Sequence, residues 1–155
     1  MPPTPFEDSL VSLTSPSWAD RLAALALAIT DSLPGEEARR IGELRELLLQ
    51  APSAGAIVGA RVPDPAAFEA MLKARAFESA ALLLFGTDCG YMLSRGSRGE
   101  HMASVLLPGR PEESTASADS AALALVAAMA MALQDAPLLF GKYGDAASAP
   151  AFRLN

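Results

Sequence analysis

The sequence predicts an α+β fold: an N-terminal helical hairpin, then helices on a small, about three-stranded antiparallel sheet, closed by an Ala-rich buried helix. Three observations carry this. Asp64-Pro65 marks a helix start, two β-prone runs flank Gly96-Ser97-Arg98-Gly99, and Ala121 to Leu133 is apolar without interruption. At 155 residues the chain can bury a sizeable core. Its 51% hydrophobic and 19% charged residues suit a globular class.

Residues 1 to 16 are rich in Pro, Ser and Thr and read as a flexible segment. Ser17 and Asp20 form an N-cap pair, and Trp18, Leu22, Leu25, Ile29 and Leu33 recur at helical spacing up to Pro34-Gly35. In the second helix Glu36 and Glu37 favour the positive end of the helix dipole, and Ile41, Leu44, Leu47 and Leu48 make the apolar stripe. Glu36 and Arg40 are spaced to pair. Residues 17 to 50 thus read as an αα-hairpin. The connector Ala51 to Pro63 offers a short strand at Ala56-Ile57-Val58.

The α+β core runs from 64 to 134. Asp64 caps the free amides, and Pro65 at the first helical position has its φ already set. Phe68, Met71 and Leu72 form the buried face. Phe77 to Phe85 fits a short helix or a buried strand, and its Glu, Ala and Leu content favours helix. Gly90 to Arg95 and His101 to Leu107 read as strands of a hairpin, with a third strand at Glu112 to Ser117. The last helix is expected to begin near Ser117 or Asp119. Leu125, Val126, Met129 and Leu133 share one arc of it, which is expected to face the sheet. Ala121, Ala124, Ala128 and Ala132 fall largely opposite and suit a close helix contact, from the N-terminal hairpin or from a second subunit. Residues 135 to 155 read as an irregular tail.

The net charge of −6 gives no global attraction for nucleic acid or an anionic membrane. Met1 to Phe6 lacks the basic and apolar regions of a secretory leader, and the apolar run at 121–133 is too short to cross a bilayer. A single cysteine makes no internal disulfide, so a cytoplasmic setting is expected. No metal or cofactor motif is present in the sequence.

Three sets of residues suggest chemistry. Cys89 with the sole histidine, His101, would make a thiol enzyme if the two approached each other. The plainer reading is an ordinary turn or core cysteine, and Asp88 beside it would raise its pKa. Arg95, Ser97, Arg98 and Arg110, with the hairpin amides, would hold a small anion, against the alternative of a solvated tip beside Glu100. Pro2, as a catalytic N-terminus, conflicts with the loose Pro2-Pro3-Thr4-Pro5 tail. The expected role is therefore a non-enzymatic module that self-associates as a homo-oligomer or binds a protein partner.

The helix Asp64-Pro65-Ala66-Ala67-Phe68-Glu69, Tyr91 opening a strand, and Ser114-Thr115-Ala116-Ser117 leading into Ala122-Leu123-Ala124-Leu125-Val126-Ala127-Ala128 resemble small bacterial and phage-derived proteins of the phage ABA sandwich type. That resemblance spans residues 64–133. It implies a small antiparallel sheet between helices and a prophage origin, and it implies no activity.

Overall fold

A computed structural model describes residues 15–135. The expectations for residues 1–14, for Pro2 and for nearly all of the C-terminal tail lie outside them. Five helices and three strands follow one another: α1 (Trp18–Thr30), α2 (Glu37–Leu49), α3 (Pro65–Lys73), α4 (Phe77–Leu82), β1 (Gly90–Arg95), β2 (His101–Leu106), β3 (Ser114–Ala118) and α5 (Ala121–Gln134). The class is α+β, as the sequence predicts.

Local chemistry sets most boundaries. At α1 the Ser17 hydroxyl accepts from the Asp20 amide at 3.1 Å and the Asp20 carboxylate accepts from the Ser17 amide at 3.0 Å, a reciprocal capping box. These bonds to Ser17 hold the Asp20 carboxyl below its ordinary value. Asp64 accepts from the Ala67 amide at 3.0 Å, and Pro65 fills the first helical position. Helix α1 ends four residues before Pro34, so Leu33 leaves the expected stripe and is 65% exposed. The Ser32 hydroxyl donates to the Ala28 carbonyl at 2.9 Å, and the residue before a proline avoids helical backbone.

In the middle of the chain one expectation fails and another holds. Ala56-Ile57-Val58 forms no strand; Ala54–Ile57 is a 3-10 turn, and the bridge falls later, between Ala60 and Phe85. The ambiguous 77–85 segment is helical to Leu82, tightens into i→i+3 turns, and ends on that bridge. Where the connector crosses it, the Gly86 amide donates to the Gly59 carbonyl at 2.8 Å. Gly59 has φ +91, and a Cβ there would lie 2.6 Å from Pro108 Cδ and 2.8 Å from Leu107 Cδ2. Only glycine fits that crossing.

The sheet is an antiparallel meander in the order β1-β2-β3. Its registers place Leu93, Ala103, Val105, Ala116 and Ala118 on one face. That face packs on α5, with Ala103 and Val105 fully buried. Among the described residues no element covers the opposite face.

Helix α5 starts at Ala121 after its N-cap Ser120, two residues beyond Asp119 and four beyond Ser117, because the Ser120 hydroxyl takes the Leu123 amide at 3.2 Å. It is the centre of the molecule. Strands β2 and β3 pack on one side of it, and α1, α2 and α4 on others. Leu123, Leu125, Val126, Met129 and Leu133 are all fully buried. Each such side chain contributes about 1.5–3 kcal/mol relative to exposure. Helix α1 makes the most extensive contact with α5, and the indole nitrogen of Trp18 ties α1 to α2 through the Leu47 carbonyl at 2.7 Å.

Candidate functional site

The β1–β2 register fixes where the sequence-selected residues fall. Arg95 pairs with His101 at the turn end of the hairpin, and Gly90 pairs with Leu106 at the far end. Cys89 precedes Gly90, so it lies about 20 Å along the strands from His101, at ~3.4 Å per residue. No thiol–imidazole pair forms. Burial pushes the Cys89 thiol up to about 11, and its Sγ donates weakly to the Gly90 carbonyl at 3.6 Å. These are the properties of a packing cysteine. His101 instead borders a shallow depression of about 390 Å³ at the start of α5, with Glu37, Arg75 and Ser120. Arg75 holds φ 57 as the left-handed residue that ends α3, where the Ala76 amide reaches the Met71 carbonyl at 2.9 Å.

The four anion-binding candidates do not converge. The β2–β3 connection leaves from the opposite end of β2, which puts Arg110 about 17 Å from the hairpin tip. There Arg110 donates to the Ala132 carbonyl at 3.3 Å and serves the C-terminal end of α5. At the tip, the Gly96 amide already donates to the Glu100 carbonyl at 2.8 Å and the Gly99 amide to the Gly96 carbonyl at 3.1 Å. The Glu100 carboxylate folds over Gly96, into the space an anion would take. Arg95, Ser97 and Arg98 are exposed around it, so the tip is a solvated turn with its own carboxylate.

The alanine arc is covered from within. Ala124 and Ala128 are fully buried and Ala132 is 3% exposed; Ala121 alone is partly open, beside the depression that holds His101. Helix α1 and its neighbours supply the cover. Ala124, Ala128 and Ala132 therefore present no surface to another molecule.

Two other features are open. The first is the bare face of the sheet. Alternation puts Met92, Ser94, Met102, Ser104, Leu106, Thr115 and Ser117 on it. Met92 is 61% exposed, Met102 43% and Leu106 40%. The hydroxyls of Ser104 and Thr115 bond to each other at 2.7 Å. No charged residue occupies this face.

The second is a groove of about 640 Å³ between α1, α2 and α3. Leu25, Leu47, Phe68 and Leu72 line it, and Gly42 widens it from α2, with nothing within 4 Å of where its Cβ would lie. Three arginines reach the groove. Arg21 is bonded to Gln50, and Arg40 to Ser32 and Glu43, both at 2.9 Å. Arg45 is under-used. Its guanidinium stacks over Phe68 at 5.3 Å and its nearest carboxylate, Glu46, is at 3.5 Å. Its Nε is buried and finds no acceptor among the described residues, which costs about 1–3 kcal/mol. Sequence reading passed over this groove. One signal was there: Gly42 interrupts α2, where glycine costs about 1 kcal/mol against alanine.

Among the described residues no helix is long and apolar enough to cross a membrane, and no cluster of three or more His, Cys, Asp or Glu could hold a metal ion. No protein-family model, characterised protein or solved structure matches the chain.

Proposed function

We propose that this chain is a non-enzymatic, self-associating module of the cytoplasm, two copies of which pack through the outer faces of their sheets. The observation that carries the reading is the uncharged outer face, with Met92, Met102 and Leu106 exposed on a chain of net charge −6. Elsewhere such a chain repels its copy; here apposition buries no charge. Face-to-face sheets about 10 Å apart would interdigitate the methionines, whose flexible side chains adapt to an unmatched surface. The separation of Cys89 from His101 supports the non-enzymatic part of the reading, and the lone, buried-type thiol suits a reducing compartment. A prophage origin, implied by the resemblance over residues 64–133, belongs to the same proposal.

The interface is small. Three strands about 4.8 Å apart and roughly 17 Å long give a flat footprint near ~250 Å² per copy, against about 800 Å² in a standard interface. Association is therefore weak. Analytical ultracentrifugation from about 10 μM to about 1 mM tests it. The average mass should climb toward the dimer, and Met92→Glu with Met102→Glu should hold the protein monomeric with an unchanged melting temperature. A wild-type monomer at the top concentration, or a dimer indifferent to the double substitution, would overturn the reading.

A further inference from the structure

We propose that the groove between α1, α2 and α3 is a binding site for a small amphiphilic carboxylate, a medium-length acyl or aryl acid, with Arg45 as the carboxylate receptor. The inference is independent of the sheet face. It rests on three observations that meet at one place.

First, the groove has the size of a ligand site, about 640 Å³, with an apolar floor bordered by charged side chains. Along α1 it runs from Arg21 to Ala28, about 10 Å at 1.5 Å per residue. That length suits an acyl chain of medium size.

Second, Arg45 is held ready and lacks a full complement of acceptors. The Arg45 guanidinium carbon lies 5.3 Å from the centre of the Phe68 ring, a contact that helps hold the group at the groove. Nε is buried without an acceptor among the described residues, and Glu46 at 3.5 Å is a marginal one. A ligand carboxylate would accept from the guanidinium edge in the paired geometry that carboxylates and arginine share.

Third, the charge around the groove selects the class of anion. Glu43, Glu46 and Glu69 border it with Arg21, Arg40 and Arg45, so the lining as a whole is neutral. A doubly charged phosphate group meets as many carboxylates as arginines there, whereas a monoanion with an apolar body meets Arg45 and the leucine floor.

Gly42 gives the proposal a clean test. It lies one turn before Arg45, and a side chain there enters open space and raises helix propensity. Gly42→Leu therefore fills the groove without harming the fold. Isothermal titration of the whole chain with octanoate, octanol and inorganic phosphate is the experiment, with melting curves as the check on folding. Octanoate should saturate at one site, octanol should bind at least tenfold more weakly, and phosphate should not bind. Arg45→Gln should weaken octanoate at least tenfold. Arg45→Lys, which keeps the charge and loses the fork, should fall between. Gly42→Leu should abolish binding at an unchanged or higher melting temperature. Equal binding of octanoate and octanol, preference for phosphate, or full octanoate affinity in Gly42→Leu would each overturn the proposal.

Discussion

Helix α5 and the outer face of the sheet both lack charge, and they have opposite surroundings. The helix is enclosed by α1, α2, α4 and two strands; the sheet face meets none of these. Lack of charge therefore tells only that a surface tolerates burial. Whether it is buried depends on what the rest of the chain can reach. A helix that is apolar all round has to be enclosed, because no orientation spares it from water. A three-stranded sheet needs only one face covered, and α5 already covers it.

That contrast can be put to measurement, the largest effect first. Leu125→Ala should lower unfolding free energy by about 3 kcal/mol, read by denaturant unfolding, while Met92→Ala on the sheet should stay within about 0.5 kcal/mol. Similar losses from the two would mean that the sheet face is covered in the monomer. Ala128→Leu adds apolar bulk, yet it should cost about 2 kcal/mol, because Ala128 is fully buried and its packed surroundings leave no room for it. A neutral result there would show that the alanine arc has slack, and would return it to consideration as a contact surface.

The smallest effect concerns Cys89, at the border of the two regions. With the thiol held up to about 11, alkylation by iodoacetamide at neutral pH should run about a hundred-fold slower than for a free cysteine. The sign of the pH effect follows from the raised value. The folded chain keeps the proton more tightly than the unfolded one, so the contribution is complete below the ordinary thiol range. It declines as pH rises from there toward about 11. Cys89→Ala should flatten that part of the stability profile. A rapid, selective reaction would contradict the half-buried environment.

What the sequence revealed was local. The Ser17–Asp20 box, the Asp64-Pro65 start and the Gly96–Gly99 turn each depend on neighbours within a few residues, and each forms. The sites were harder to read because they depend on register and on packing between distant helices. In β1 the run Tyr91-Met92-Leu93 is apolar on both faces, so alternation does not reveal which face is covered. Arg110 and Arg98 both flank turns, but the meander carries those turns to opposite ends of the sheet. The groove draws on residues from 21 to 72, and only the glycine within α2 hints at it.

The order of elements along the chain has a consequence for synthesis. The first described helix finds its main packing partner in the last, roughly a hundred residues later. During translation the apolar stripes of α1 and α2 wait without a core until α5 has left the ribosome, and contacts of such long sequence separation form slowly. The nascent chain thus passes through a stage in which Leu22, Leu25, Ile41 and Leu44 are open to chaperones and to neighbouring chains. A message cut short before Ser120 would yield a product for proteolysis instead of a smaller folded protein.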